Sequence, residues 1–135
     1  MTQEDKELLL KDICARLPYG VIVDTPKGKG HVCGINLTIF DTEFGVNINP
    51  TDRDTFSIND VKPYLFSLSS MTEEHCYELA SIRLGFQDCW KYIKTPIPLS
   101  ICNFEQIDWF NKNHFDYRGL IEKGLAVDAI GLNIY

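Results

Sequence analysis

The chain has 135 residues, of which 44% are hydrophobic and 24% charged, and these ordinary globular values exclude a disordered protein. The formal net charge is −6, so the molecule repels nucleic-acid phosphates and anionic lipids at long range. No apolar run approaches the roughly 18 residues that a membrane-spanning helix needs, and the length predicts a single domain, residues 1–135.

The cysteines and the first residues bear on the compartment. The chain contains five cysteines, which leave one thiol unpaired under any complete disulfide pairing: Cys14, Cys33, Cys76, Cys89 and Cys102. The opening MTQEDKELLLKD is charged and amphipathic, unlike a secretory signal peptide. We therefore expect free thiols, a reducing compartment and a cytoplasmic localisation.

The first segment carries the signals of an amphipathic helix. Thr2 and Asp5 have the spacing of a helix-capping pair. Apolar residues then recur at the period of one helical face, at Leu9, Leu10, Ile13, Cys14 and Leu17. Pro18 is expected to end the helix, whose apolar face would cover the segments that follow.

From Gly20 to about Asn49 the period of the apolar residues changes to two. The stretches GVIV, GHVCGINLTIF and EFGVNIN are separated by turn-forming residues, and TFSI suggests a fourth strand. Gly30, Gly34 and Gly45 within them indicate bulges or sharp bends. We expect a small curled antiparallel sheet that resembles a partial SH3-type barrel.

The segment DVKPYLFSLSSMTEEH, residues 60–75, is interpreted as a joint between sheet and helix. Pro63 has no amide hydrogen to donate, which predicts an edge strand or an extended connector. Ser70 and Glu73 have the spacing of a reciprocal capping box. The helix that they would start runs from about residue 71 to 84.

The last third of the sequence predicts further helices. Residues 86–102 remain ambiguous, because prolines bracket Ile97 while CWKYI alternates like a strand. FEQIDWFNKN predicts a helix, and Asp116 is expected to cap another over YRGLIEK, with Gly124 as its left-handed stop. The apolar tail is expected to pack as a last strand, so the predicted fold is α+β with an N-terminal helix, a curled sheet and C-terminal helices.

No motif in the sequence indicates catalysis with a defined residue set. His31 and Cys33 lie two apart in a predicted strand, at metal-ligand reach, and His75 with Cys76 offers a weaker pair. The sequence has no CxxC pair, HExxH pair or GxSxG elbow. We therefore favour buried free thiols over a metal site, assign no catalytic residue, metal or cofactor, and lean against an enzyme.

The densest aromatic run is WFNKNHFDYRG, residues 109–119. Exposed aromatic, histidine and arginine side chains are good anchors for protein contacts, which gives four candidate binding residues: Trp109, His114, Tyr117 and Arg118. The favoured alternative is structural, with Trp109, Phe110, Phe115 and Tyr117 packed inward at a corner between helices.

Three phrases of the sequence carry a resemblance. MTQEDKELLLKDICARLPYGV, KPYLFSLSSMTEE and HFDYRGLIEKGLA resemble a group of small uncharacterised proteins of Bacteroides-type gut bacteria and their phages and prophages. The resemblance implies a bacterial cytoplasm, with a phage or prophage as the genetic context. It offers no catalytic residues to carry over.

These observations lead to three hypotheses. The first is a non-enzymatic protein-binding module, a phage or prophage accessory protein that contacts a host or phage protein. The second is a small metal- or thiol-dependent enzyme that uses His31 and Cys33, joined by His114. The third is a nucleic-acid-binding small barrel, which would need a positive cluster around Lys27, Lys29 and Arg16. The apolar tail leaves open whether the sheet closes within one chain or across a homo-oligomer.

Overall fold

The computed structural model describes residues 1–49, 51–82 and 104–135. Its helices are α1 (Gln3–Arg16), α2 (Glu73–Ile82) and α3 (Phe104–Lys112), and its strands are β1 (Ile22–Thr25), β2 (Gly28–Leu37), β3 (Thr42–Asn49), β4 (Asp52–Ser57), β5 (Lys62–Ser67), β6 (Phe115–Asp116) and β7 (Val127–Asp128). The ambiguous segment 86–102 lies outside the described residues. Within the described ranges, no helix has the length and apolar character that crossing a membrane requires.

The strands form one mixed, open sheet in the order β4-β3-β2-β1-β5-β6, with β7 also pairing with β5. Strands β1 to β4 form an antiparallel meander, and β5 returns antiparallel to β1. The short strands β6 and β7 pair with β5 in parallel. The predicted α+β class with its N-terminal helix is confirmed, whereas the sheet is mixed rather than wholly antiparallel and does not close.

Strand β2 is irregular where the sequence predicted a bend. The register with β3 shifts between Val32 and Gly34, so that Cys33 is an additional residue in the strand. At Gly30 the two backbones approach closely, because a Cβ atom there would lie 2.5 Å from the carbonyl oxygen of Asn47. The absence of a side chain at Gly30 therefore allows β2 to pack onto β3.

The first helix begins as predicted. Thr2 Oγ1 accepts a hydrogen bond from the Asp5 amide at 3.1 Å, and the Asp5 carboxylate accepts one from the Thr2 amide at 3.4 Å. The inward face of α1 carries Leu9 and Ile13, as expected, whereas Cys14 is exposed.

Strand β5 corrects the expectation for Pro63. The strand is neither an edge nor a connector, since it pairs with β1 and with the short parallel strands. Pro63 lies opposite Val23 of β1, while the pairing with β7 starts one residue later, at Tyr64. The missing amide thus falls where the strand has a single partner, which is how the sheet tolerates a proline.

The start of α2 also differs from the prediction of a Ser70 and Glu73 capping box. The Ser70 hydroxyl instead donates to the carbonyl oxygen of Ser67 at 2.6 Å. Thr72 is the capping residue, because its hydroxyl accepts from the His75 amide at 3.3 Å while His75 Nδ1 accepts from the Thr72 amide at 3.1 Å. The imidazole of His75 takes the place that a glutamate occupies in the usual box.

The predicted helix over residues 117–123 is wrong, since this segment is a series of turns. Asp116 does cap it: its two carboxylate oxygens accept from the amides of Leu120 and Ile121, each at 2.9 Å. Gly124 has the predicted left-handed conformation, with a φ of 72°. The Asp116 carboxylate thus gives two backbone amides a hydrogen-bond acceptor, although no helix follows it.

The tail contributes less strand than expected. Only Val127 and Asp128 pair with β5, and the Ala129 amide then donates to the carbonyl oxygen of Leu65 at 2.8 Å. The chain continues without regular structure to Tyr135, whose ring returns against Phe66.

Two apolar clusters fill the interior. The larger joins α1, the sheet and the turns after β6, and it contains Leu9, Ile13, Val21, Val23, Phe44, Val46, Phe56, Ile58, Val61, Leu65, Leu120, Leu125 and Ala126. The smaller lies under α2 and α3 and contains Leu68, Met71, Cys76, Leu79, Phe110, Phe115 and Tyr117. The favoured inward packing of the aromatic run is confirmed for Phe110, Phe115 and Tyr117.

A buried ion pair lies between the two clusters. Asp12 and Arg16, one turn apart on α1, are both fully buried and form two hydrogen bonds, Nε to Oδ2 at 2.9 Å and Nη2 to Oδ1 at 3.1 Å. The Arg16 guanidinium also donates to the carbonyl oxygens of Phe115, at 2.7 Å, and of Phe110, at 3.5 Å. Arg118 Nε lies 3.3 Å from Asp12 Oδ1 without hydrogen-bond geometry, so its contribution is electrostatic.

Tyr117 completes this polar network. Its ring lies near both guanidinium groups, 5.3 Å from the Arg16 carbon and 5.0 Å from that of Arg118. Its hydroxyl donates to Asn111 Oδ1 at 2.9 Å and accepts from Arg118 at 3.1 Å. The ring and the hydroxyl thus link α1 to the end of α3.

Substituting Asp12 by alanine should destabilise the protein strongly. The variant leaves the Arg16 charge buried without its counter-ion, a change that costs about 3–5 kcal/mol. The measurement is the free energy of unfolding from urea titrations. Asp54→Ala is the matched control, since it removes the partner of Lys27 from an exposed ion pair. Equal losses in the two variants would contradict the assignment of Asp12 as the central counter-ion.

Substituting Gly30 by alanine should also destabilise the protein, by about 1–3 kcal/mol, because the new methyl group meets the Asn47 backbone. Gly34→Ala is the control in the same strand, since its Cβ meets only the far end of the Arg53 side chain. We expect a clearly smaller loss there, measured as the shift of the thermal midpoint. A Gly30→Ala protein as stable as Gly34→Ala would contradict the close approach of β2 and β3.

Candidate functional site

The structure separates the four candidate binding residues of the aromatic run. Tyr117 is 3% exposed and Arg118 partly buried, and both belong to the polar network on α1. Trp109 is partly buried, stacks on Phe115 at 5.6 Å, and donates from Nε1 to the Glu78 carboxylate at 3.3 Å. His114, by contrast, lines an open cavity.

The other sequence candidates, His31 and Cys33, are both exposed on β2. The bulge at Cys33 disturbs the strict alternation that would place the two side chains on one face. In residues 1–49, 51–82 and 104–135, no group of three or more His, Cys, Asp or Glu side chains is arranged to hold a metal ion.

The cavity beside His114 has a volume of about 470 Å³, and we call it the histidine groove. Its size lies within the range of ligand pockets. It is lined by Phe66, Ser70, His75, Lys112, Asn113, His114, Phe115, Ile130, Gly131 and Tyr135. Strand β5, helix α2, the end of α3 and the tail thus each contribute to one surface.

The chain reverses at His114, which positions the imidazole at the groove. His114 has a φ of 62°, a left-handed conformation that histidine, asparagine and aspartate adopt more often than other side chains. Its amide donates to the carbonyl oxygen of Asn111 at 3.3 Å, and its own carbonyl accepts from the Phe66 amide at 2.8 Å. The backbone is therefore held on both sides, by α3 and by β5.

Tyr135 forms one wall of the groove. Its ring stacks on that of His114, with centroids 3.5 Å apart and planes 10° from parallel. Its hydroxyl accepts from the Ile22 amide at 3.2 Å and donates to the carbonyl oxygen of Tyr64 at 3.0 Å. Burial raises the pKa of this hydroxyl, so it remains a hydrogen-bond donor at neutral pH. The sheet thus fixes the position of the ring.

The imidazole of His114 is neutral over the physiological range. Burial of the ring, helped by the nearby Arg16 guanidinium, lowers the pKa of His114 to about 4. Its Nδ1 atom is buried and has no hydrogen-bond partner among the described residues. The ring therefore meets the groove as an uncharged, mostly aromatic surface.

His75 is the second imidazole of the groove. Its Nδ1 accepts the Thr72 amide, as described above, and its ring packs edge-on against Phe115 at 5.2 Å and Trp109 at 6.0 Å. The capping bond and the two aromatic contacts together fix the ring. The sequence drew attention to His75 only as a possible metal ligand, because its capping role depends on a side chain that is not the usual glutamate.

Among the described residues that line the groove, Lys112 carries a charge and none is an aspartate or glutamate. The chain as a whole carries a net charge of −6. Lys112 therefore gives the groove a positive charge on an acidic molecule, and the rest of the lining combines aromatic and aliphatic surface with the polar side chains of Ser70 and Asn113.

A second apolar feature lies at the turn between β2 and β3. Ile39 is 93% exposed and its neighbour Phe40 is 90% exposed. They border a cavity of about 210 Å³ against α1, smaller than the histidine groove. We call these two residues the hairpin tip; they form a small projecting contact surface.

The low pKa of His114 predicts a pH dependence of stability. The unfolded chain gains a proton on this histidine near pH 6.5, while the folded protein does so only near pH 4. The free energy of unfolding should therefore fall as the pH drops from 6.5 to 4. His114→Asn, which suits the left-handed backbone, should reduce the slope of unfolding free energy against pH in this window. An NMR titration of His114 with a midpoint near 6.5 would contradict the prediction.

Comparison of the chain with protein-family models, with curated proteins and with solved structures finds no match in any of the three. The chemistry of the site is therefore argued from its geometry. The histidine groove offers a volume of ligand size, aromatic walls and two fixed imidazoles. This arrangement is suited to holding an apolar group with a polar attachment.

Proposed function

We propose that the protein is a non-enzymatic binding module whose histidine groove receives a segment of a partner protein. The partner is a host or phage protein, as the resemblance to phage-associated proteins suggests. The observation that carries the proposal is the groove itself: a cavity of about 470 Å³ walled by aromatic rings from separate parts of the chain.

The rigidity of the walls supports this proposal. Tyr135 is fixed through its hydroxyl, His75 through the capping bond, and His114 through its backbone. A preformed surface loses little conformational entropy when a ligand binds, which favours affinity. Aromatic side chains are also enriched among the residues that dominate the energy of protein interfaces.

The two alternatives receive less support. A metal site built on His31 and Cys33 requires a third ligand, and no group of three or more His, Cys, Asp or Glu side chains among the described residues could hold a metal ion. A nucleic-acid site requires Arg16, Lys27 and Lys29 to form one positive surface. Arg16 is fully buried and Lys27 pairs with Asp54, which leaves little of that cluster free.

The proposal predicts that Ile130→Asp abolishes partner binding. Ile130 is half exposed and lines the groove, so the variant removes apolar contact and adds a carboxylate without disturbing the core. Leu132→Asp is the matched control, since Leu132 is equally exposed on the same tail outside the groove lining. Partner recovery by affinity capture from cells that encode the protein should fall about tenfold or more with Ile130→Asp alone.

Phe40→Asp tests the competing surface in the same experiment. Because Phe40 lies at the hairpin tip and not in the groove, we expect this variant to retain the partner. Loss of the partner with Phe40→Asp and its retention with Ile130→Asp would move the binding site to the hairpin tip. Equal recovery with wild type and Ile130→Asp would overturn the proposal.

A further inference from the structure

The hydrogen-bonding state of the two imidazoles determines which ligand atoms the histidine groove can accept. His75 Nδ1 accepts the Thr72 amide, so the ring proton of the neutral imidazole lies on Nε2. A proton on His114 Nδ1 would be a buried donor without an acceptor, which is the costlier arrangement. Its proton therefore also lies on Nε2. Each neutral ring can therefore donate a hydrogen bond through Nε2.

The other polar groups of the lining point to the same kind of ligand. Lys112 supplies a positive charge and further donors. Asn113 uses its side-chain amide on the carbonyl oxygen of Trp109, at 2.9 Å, and Ser70 donates to that of Ser67. The donors that remain belong to Lys112, the two imidazoles and the second amide hydrogen of Asn113, and no aspartate or glutamate is among the described residues that line the groove.

The apolar part of the lining sets a second requirement. Phe66, Phe115, Ile130 and Tyr135 provide ring and aliphatic surface, and the volume of about 470 Å³ exceeds what a bare anion fills. A small anion alone would leave these walls in contact with water. An apolar or aromatic group next to the anion would cover them, with a gain proportional to the buried area.

We infer that the histidine groove recognises an acidic-aromatic segment of a partner protein, with an aromatic side chain against the apolar walls and an adjacent carboxylate on the histidine and lysine donors. This inference rests on the proposed function and specifies its partner. Although the chain carries a net charge of −6, Lys112 places a positive charge in the groove, with no aspartate or glutamate among the described residues of the lining, so a carboxylate is attracted locally.

Blocked tetrapeptides test the inference on the intact chain. One contains phenylalanine followed by glutamate, the second has glutamine in place of glutamate, and the third has alanine in place of phenylalanine. Binding is measured by NMR shifts of the Phe115, Ile130 and Gly131 amides. The first peptide should bind about tenfold more tightly than each of the other two, because a hydrogen bond to a charged group and a buried ring each contribute on that scale.

Lys112→Gln removes the positive charge from the groove and keeps a long polar side chain at the same position. It should weaken the glutamate peptide about two- to fivefold and leave the glutamine peptide unchanged. Lys123→Gln, at an exposed position outside the groove lining, is the control and should change neither affinity. Equal effects of Lys112→Gln on both peptides would overturn the role of the carboxylate.

Two further outcomes distinguish this inference from the proposed function. Equal affinities for the glutamate and glutamine peptides, together with loss of the captured partner in Ile130→Asp, would overturn the acidic-aromatic specificity while the binding module stands. If 3-phenylpropionate binds as tightly as the glutamate peptide, the ligand is a free aromatic acid. That result would overturn the inference that the groove binds a segment of a protein. Shifts of the groove amides with the glutamate peptide alone support the inference.

Discussion

The buried bonds of Arg16 are the constraint on which the rest of the structure depends. Its guanidinium is fully buried, and its partners are Asp12 on the same helix and the carbonyl oxygens of Phe110 and Phe115. A buried charge without partners costs several kcal/mol, so each of these contacts stabilises the folded chain. These bonds therefore favour the observed arrangement of helix α1, the end of α3 and strand β6.

The geometry of the histidine groove follows from this arrangement. His114 lies between the two residues whose carbonyl oxygens Arg16 holds, so the reversal of the chain at His114 is fixed at both ends. Phe115 begins β6, which pairs with Phe66 of β5, and both rings line the groove. The Arg16 charge also helps to keep His114 neutral. The Arg16 network thus helps to set the shape of the candidate site, and it adds to the effect of burial, which is the main cause of the neutral state of His114.

Local signals made part of this structure predictable from the sequence, and long-range contacts account for the remainder. The cap of α1 and the four meander strands depend on neighbouring residues and were predicted. The burial of Arg16 was not, because Asp12 four residues earlier has the spacing of an ordinary exposed pair, while the carbonyl partners lie 94 and 99 positions away. At the site, the aromatic run in the sequence pointed to His114. Tyr135 and His75 belong to distant segments, and no local sequence pattern indicates that they lie next to His114 in the fold.

The backbone at His114 explains why one aromatic run serves two purposes. The positive φ turns the chain between α3 and β6, so that Phe115 and Tyr117 enter the interior while the imidazole between them and α3 remains at the groove. Such a conformation carries a cost for any residue with a Cβ atom, and structures retain it where the surroundings determine it fully. Here the hydrogen bonds of the His114 amide and carbonyl hold the backbone in this conformation. The same turn that completes the core thus leaves a fixed, uncharged ring available to a ligand.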